Sequence, residues 1–171
     1  MQVFKHSEIK LIKESLKDTD DTCELGILLT IEPSVRVGEL CTLKQEHVTD
    51  DCLQIRQSEH RAKFGDERRY YIGEPKKGRT RDIVLNPDAK RILEKLLSLH
   101  DSEWLFPNQE DASDWMRSDF FHKAIRKVCR KLGIQDRSIH KLRKTAQSPK
   151  YKGLSHLKGT TGAGLHSATV F

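Results

Sequence analysis

The sequence predicts an α+β domain that is mostly helical and carries one small antiparallel sheet of three strands. Apolar residues recur at helical spacing along most of the chain, and only residues 52–85 show short apolar runs separated by turn residues, which is typical of strands. With 171 residues the chain has the length of a single ordinary domain. We therefore expect a folded domain over residues 1–145. Residues 146–171, with four glycines, no acidic residue and no helical periodicity, are expected to form a loosely ordered tail.

Apolar periodicity and helix-ending residues predict six helices. They cover, in order, residues 7–17, residues 23–31, a segment that follows Ser34, residues 86–100, residues 113–132 and a short segment from Ser138. The second helix is expected to break at Glu32-Pro33, because proline disfavours helix in the residue before it. The third has Ser34 as its predicted N-cap, which places Arg36 in its first turn. The fifth is expected to bury Trp115 and Phe120 among its apolar residues.

The sheet is predicted from three short runs at residues 52–55, 69–72 and 81–85. Turns at residues 63–66 and 75–78 separate these runs. Neighbouring antiparallel strands are commonly joined by tight turns. The second turn is therefore expected to be the tip of a hairpin.

Charge favours a polyanionic partner. The chain has 31 Lys and Arg against 25 Asp and Glu, a net charge of +6, and nucleic acid is the leading candidate. No apolar run has the length of a membrane span and the N-terminus lacks the apolar region of a signal peptide, so we expect a cytosolic protein. The four cysteines are far apart, which indicates neither a zinc site nor a disulfide framework.

Two arginines and a histidine stand where they can bind a phosphate. In the first turn of the third predicted helix, Arg36 and the helix N-terminus can hold a phosphate together. A surface ion pair with Glu39 or Glu32 is the alternative. His140 and Arg143 lie at positions i and i+3, on one face of the last predicted helix. An imidazole beside a guanidinium suits phosphoryl transfer, which depends on positioning, charge neutralisation and proton movement.

The predicted turn before the third strand is strongly basic, with the sequence P-K-K-G-R-T-R at residues 75–81. A hairpin tip of this composition can enter a DNA groove or contact the DNA backbone. A solvated basic turn has the same composition, so this segment alone does not separate the two interpretations.

Taken in order, these segments resemble the tyrosine recombinases of the phage integrase family. H-K-L-R-K-T at residues 140–145 resembles the H-x-L-R-H/K-T box of that family, and S-V-R-V-G-E-L at residues 34–40 resembles its first arginine box, G-L-R-I-S-E-L. Residues 75–85 resemble the segment that carries its β-hairpin lysine, and W-L-F-P at residues 104–107 resembles a common core segment. The resemblance covers residues 25–145 and implies an integrase-like catalytic domain that acts on double-stranded DNA.

The resemblance also implies roles for individual residues. Arg36 and Arg143 would clamp the non-bridging oxygens of the scissile phosphate. Lys76 would protonate the leaving 5′ oxygen, although its neighbour Lys77 can exchange roles with it. His140 would take part in proton transfer with the attacking hydroxyl. No metal or other cofactor is implied, since the arginines supply the positive charge.

Further residues are expected to support or extend this site. Glu39 stands where the family has an acidic residue after the first arginine, and we expect it to support Arg36. Additional DNA contacts are predicted at Lys77, Arg79, Arg81, Lys141 and Lys144.

The family pattern fails at the nucleophile. The family attacks the phosphate with a tyrosine some thirty residues beyond the second arginine, whereas Tyr151 is only eight residues beyond Arg143 and receives no catalytic role. His166, in L-H-S, is a candidate for the family histidine that precedes the tyrosine, although Leu165 replaces the usual glycine. We therefore expect a chain that binds DNA but is catalytically incomplete, through a frameshift or a truncation.

Three alternatives stay open. The chain can be a non-catalytic DNA-binding remnant that modulates an intact integrase, a type IB topoisomerase-like enzyme, or a basic structural domain. Other recombinase protomers are possible partners on DNA, and a monomer is expected in solution.

Overall fold

The computed structural model describes residues 3–149, which form six α-helices and four β-strands around one apolar core. The elements are α1 (His6–Leu16), α2 (Thr22–Ile31), α3 (Val37–Cys41), β1 (Cys52–Ile55), β2 (Ser58–Phe64), β3 (Glu67–Gly73), β4 (Arg81–Val84), α4 (Pro87–Leu99), α5 (Ser118–Lys131) and α6 (Ile139–Ala146). The mostly helical α+β class predicted from the sequence is confirmed. Among the helices within residues 3–149, none has the length and apolarity needed to cross a membrane.

The central element is α2, which contacts α1, α3, α4, α5 and α6. Its residues from Leu25 to Ile31 are all buried, as expected of a helix that is apolar on every side. Asp21 caps it, since its carboxylate accepts a hydrogen bond from the backbone N–H of Glu24 at 3.0 Å. The helix ends at Ile31, before Glu32, as the proline at position 33 predicts.

The strands form two antiparallel pairs and not the predicted three-stranded sheet. β1 pairs with β4, with Ile55 opposite Arg81, and β2 pairs with β3, with Ser58 opposite Gly73. The basic turn is therefore not a hairpin tip, because it joins β3 of one pair to β4 of the other. The sequence does not predict β2, because many residues of this strand are exposed. The strand therefore lacks the apolar alternation that identifies a half-buried strand.

The segment before α3 also differs from the prediction. Ser34 is not the N-cap; it has a left-handed backbone with a φ of 59° and lies two residues before the cap. Arg36 is the N-cap residue, so it precedes the first helical turn and does not lie in it. Its backbone N–H donates to the carboxylate of Glu39 at 3.0 Å, and this contact fixes the start of the helix at Val37.

The later helices follow the predictions more closely. α4 begins where expected, and the Asn86 side chain accepts a hydrogen bond from the backbone N–H of Ala89 at 2.8 Å. α5 starts at Ser118, later than predicted, so Trp115 precedes it, and Phe120 is 37% exposed on its outer side. The segment from Trp104 to Phe106 is buried, which agrees with its expected place in the core.

Candidate functional site

A cavity of about 460 Å³ lies where the start of α3, strand β2, the basic turn and α6 meet. Four side chains that the sequence analysis assigned to one site line it: Arg36, Lys76, His140 and Arg143. These residues are spread over more than a hundred positions of the sequence. Tertiary packing brings them together at one surface.

Arg36 is anchored at one end of its guanidinium only. Its Nη1 donates to Oε1 of Glu39 at 2.7 Å, and within residues 3–149 its Nε and Nη2 have no hydrogen-bond partner. The side chain of Arg36 is 40% exposed, whereas that of Glu39 is 1% exposed. A buried carboxylate thus fixes the arginine and leaves part of its fork available to the cavity.

Glu39 also binds a second arginine. Arg81 at the start of β4 donates from Nη1 to Oε1 at 2.8 Å and from Nη2 to Oε2 at 2.7 Å. Burial alone would raise the pKa of Glu39, but the hydrogen bonds from Arg81 and Arg36 outweigh it and hold that pKa below its usual value. The carboxylate is therefore ionised at neutral pH. The contact with Arg36 agrees with the supporting role expected of Glu39.

Arg143 is held by the backbone. Its Nε donates to the carbonyl oxygen of Ser34 at 2.7 Å. Burial, together with the nearby charge of Arg36, lowers the pKa of Arg143 from its usual value. The fully buried Leu142 anchors α6 in the core, while His140, one turn before Arg143, is exposed at the cavity.

The basic turn places one of its two lysines in the cavity. Lys76 lines it and Lys77, which has a φ of 67°, does not. The turn is attached to β2, because Nε2 of His60 lies 2.7 Å from the carbonyl oxygen of Glu74. The ring of His60 in turn stacks on Tyr71, with 5.4 Å between the ring centroids.

Strand β2 supplies a wall that the sequence analysis missed, with Ser58, Glu59 and His60 all lining the cavity. The carboxylate of Glu59 accepts hydrogen bonds from Nε1 of Trp115 at 2.9 Å and from the backbone N–H of Ser118 at 3.2 Å. No sequence signal marked these residues, since the strand itself was not predicted.

Gly38 allows α3 to approach β2 closely. A Cβ at this position would lie 2.8 Å from Oγ of Ser58 and 3.0 Å from the carbonyl oxygen of Glu59. The wall formed by β2 therefore stands directly against the element that carries Arg36.

Some of the remaining predicted site residues lie within residues 3–149, and others lie outside this range. Lys77, Arg79 and Lys144 are exposed and Lys141 is partly buried, so their contacts with DNA stay predictions. The predicted contact of Arg81 also stays a prediction, although Glu39 binds its guanidinium. His166 and Tyr151 lie outside the described residues. Within residues 3–149, no group of His, Cys, Asp or Glu side chains is arranged to hold a metal ion.

Chemically, the cavity combines permanent positive charge with groups that transfer protons. Two guanidinium groups can bind non-bridging oxygens of a tetrahedral oxyanion through charge-assisted hydrogen bonds. An ammonium group and an imidazole in the same cavity can donate or accept protons at the bridging oxygens. This arrangement suits a phosphodiester, whose displacement needs charge stabilisation and proton transfer.

Comparison with known proteins gives one family and several similar structures. The model of the phage integrase family matches residues 2–151. No curated protein sequence matches the chain significantly. The XerA recombinase is 21% identical with a TM-score of 0.65, over 95% of this chain and 53% of that protein. The Tn1549 transposon integrase in complex with circular intermediate DNA is 15% identical with a TM-score of 0.68, over 94% of this chain and 58% of that one.

The lambda integrase catalytic core matches almost from end to end. It is 16% identical with a TM-score of 0.63, and the match covers 91% of this chain and 90% of that one. By contrast, the chain spans only just over half the length of the XerA and Tn1549 structures. At these identities the structural matches establish the fold, which is that of the lambda catalytic core.

Proposed function

Because the chain belongs to the phage integrase family of tyrosine recombinases, we propose that its cavity binds a DNA phosphate for site-specific strand cleavage and rejoining. The observation that carries the proposal is the convergence of Arg36, Lys76, His140 and Arg143 on one cavity. Each residue matches a position of the family motifs, and each contributes chemistry that phosphoryl transfer needs.

Arg36 and Arg143 bind the non-bridging oxygens and stabilise the charge that develops at the pentavalent phosphorus. The carboxylate of Glu39 and the carbonyl of Ser34 hold these two arginines before DNA arrives. Preorganisation of this kind avoids the cost of ordering long side chains during the reaction. Lys76 protonates the leaving 5′ oxygen, and His140 assists proton transfer at the attacking hydroxyl.

The DNA duplex extends beyond the cavity over basic side chains that are exposed or partly buried. Lys77 and Arg79 follow Lys76 on the basic turn, and Lys141 and Lys144 flank Arg143 on α6. Contacts from these residues to neighbouring phosphates would position the duplex without reading its sequence. Double-stranded DNA is the proposed partner, with other recombinase protomers joining on DNA and a monomer in solution.

The affinity of the chain for DNA tests the proposed phosphate site. Arg36→Gln and Arg143→Gln should each weaken binding of a short fluorescent duplex by about tenfold or more, because each removes a charge-assisted hydrogen bond. Lys10→Gln, on the exposed face of α1, is a charge-matched control that should leave the affinity unchanged. Fluorescence anisotropy over a range of salt concentrations measures the effect. Binding by both arginine variants at the level of the control would contradict the proposal.

We further propose that this chain by itself does not complete the covalent step. Its three tyrosines are Tyr70, Tyr71 and Tyr151. Neither Tyr70 nor Tyr71 lines the cavity, and the hydroxyl of Tyr70 donates to Asp119 at 2.6 Å. Tyr151 follows Arg143 too closely to match the family nucleophile.

A nicked duplex that traps a 3′-phosphotyrosyl link tests this step. The purified chain should give no DNA-linked band on a denaturing gel, while it retains reversible binding. A linked band that persists in Tyr151→Phe would direct attention to the tyrosines of β3. A band that disappears in this variant would assign Tyr151 as the nucleophile, and either band would overturn the proposed lack of the covalent step.

A further inference from the structure

The side chain of Arg81 is directed at Glu39 and is 30% exposed. In β4 the residues alternate between partly buried and exposed positions, and Arg81 shares the partly buried side with Ile83, which packs against the core. Its guanidinium binds both oxygens of Glu39, at 2.8 and 2.7 Å. The DNA contact that the sequence predicts for Arg81 stays a prediction, and in the structure the strand directs this side chain to the carboxylate that also binds Arg36.

Glu39 accepts two hydrogen bonds from each of its two arginines, but only Arg81 gives both of them from its guanidinium. Arg81 occupies both carboxylate oxygens, whereas Arg36 gives a single guanidinium hydrogen bond, from Nη1, and one from its backbone. In the part of the chain that the structure describes, Nε and Nη2 of Arg36 bind no protein group. A carboxylate left with one arginine partner favours the bidentate geometry, in which two guanidinium nitrogens bind its two oxygens.

We infer that Arg81 is a positioning residue: by occupying both oxygens of Glu39, it keeps Nε and Nη2 of Arg36 available for a DNA phosphate. Without Arg81, the buried carboxylate of Glu39 attracts a second guanidinium nitrogen of Arg36. The guanidinium then turns away from the cavity. Arg81 thus acts on the phosphate through Arg36. This inference rests on the proposed function, since it takes Arg36 to bind the phosphate.

A double-mutant cycle separates action through Arg36 from direct DNA contact. Arg81→Gln should weaken binding of a short fluorescent duplex of mixed sequence by about tenfold in the otherwise unchanged chain. In the Arg36→Gln background the same change should cost less than about twofold, because the group on which Arg81 acts is gone. Equal losses in both backgrounds, or no loss in either, would overturn the inference.

Arg79→Gln is the matched control, because Arg79 lies two residues away and is exposed. A direct phosphate contact at Arg79 is independent of Arg36, so Arg79→Gln should lose the same DNA affinity in both backgrounds.

Arg81→Lys adds a second comparison. It retains the charge but offers a single ammonium to two oxygens, so it should bind as weakly as Arg81→Gln. Affinity close to that of the unchanged chain would indicate a simple charge effect and contradict the inference.

A variant with Glu39→Gln and Arg81→Gln together covers the case in which Arg81→Gln alone fails to fold. It leaves no buried carboxylate without its partner, and it should bind DNA more tightly than Arg81→Lys, because no carboxylate remains to draw a second nitrogen of Arg36 away from the cavity. In the Arg36→Gln background, the pair of changes should have no such effect. A folded double variant that binds no more tightly than Arg81→Lys would count against the inference.

The NMR signal of the Arg36 Nε–H group gives a readout that does not depend on DNA. The chemical shift of this signal should change in Arg81→Lys without DNA. A purely structural role of Arg81 would instead lower the melting temperature without changing this chemical shift selectively. If Arg36→Gln and Arg143→Gln bind DNA normally, the proposed function fails whatever Arg81 does. If they bind weakly and the cycle shows no coupling, only the inference about Arg81 fails.

Discussion

Ser34 shows how one backbone conformation contributes to the site. Its φ of 59° is uncommon for a residue with a Cβ, and its carbonyl oxygen accepts the hydrogen bond from Nε of Arg143. The family motif has glycine at this position, which adopts such a conformation without steric cost. The strain at Ser34 is thus tied to the direction of a carbonyl group that holds a proposed phosphate ligand.

Substitutions at Ser34 should follow this backbone requirement. Ser34→Val should lower the free energy of unfolding by about 1–2 kcal/mol, since a β-branched residue is a marked outlier at positive φ. Ser34→Gly should leave stability equal or slightly higher, because relief of strain offsets the greater entropy of the unfolded chain. Urea denaturation measures both. Equal destabilisation by Val and Gly would show that the side chain of Ser34 matters more than its φ.

Two features of how the helices and strands pack determine the position of the site. The basic turn joins β3 of one strand pair to β4 of the other, so Lys76 reaches the cavity from between two small sheets. Helix α2 is buried on every side and contacts α3 and α6, which carry or flank the two arginines. The position of α2 therefore controls the relative position of both proposed phosphate ligands.

Gly26 lets α5 approach α2 and should not tolerate a side chain. A Cβ there would lie 2.4 Å from Cε1 of Phe121, whose ring is fully buried and packs edge-on against Phe106, with 5.2 Å between centroids. Gly26→Ala should therefore lower the free energy of unfolding by about 1–3 kcal/mol despite its better helix propensity. Thermal denaturation followed by circular dichroism measures the change.

The partner residue provides the control for Gly26. Phe121→Leu opens space where the added methyl group would stand, so the double variant should lose less stability than the sum of the two single variants. Additive losses would show that the clash with Phe121 is not the cause.

For the whole molecule, two carboxylates connect distant parts of the chain. Glu8 of α1 accepts a hydrogen bond from Arg137, before α6, at 2.7 Å, and Glu39 joins α3 to Arg81 of β4. Burial raises the pKa of each carboxylate, but hydrogen bonds outweigh this effect, from Lys5 and Arg137 at Glu8 and from Arg81 and Arg36 at Glu39. Both pKa values therefore lie below their usual range.

This electrostatic pattern predicts acid-sensitive stability. Because the folded pKa values lie below the unfolded value of about 4.3, the stabilisation is fully present above roughly pH 5 and is lost as pH falls through the folded values. Glu39→Gln should lower stability at pH 7 and flatten its decline in acid. Urea denaturation from neutral to acidic pH tests this, with the exposed Glu94→Gln as control. An unchanged slope in Glu39→Gln would argue against the predicted linkage.

Because helical periodicity and short motifs are local properties, the sequence alone predicts the order of the six helices, the fold class and four of the residues that line the cavity. The pairing of the strands, the wall formed by β2 and the binding of Arg81 to Glu39 depend on tertiary packing. Strand pairing and buried ion pairs join residues far apart in the chain, and β2 is too exposed to carry an apolar signal. The same packing places Lys76, and not Lys77, against the cavity, because the direction of a side chain in a turn depends on the backbone around it.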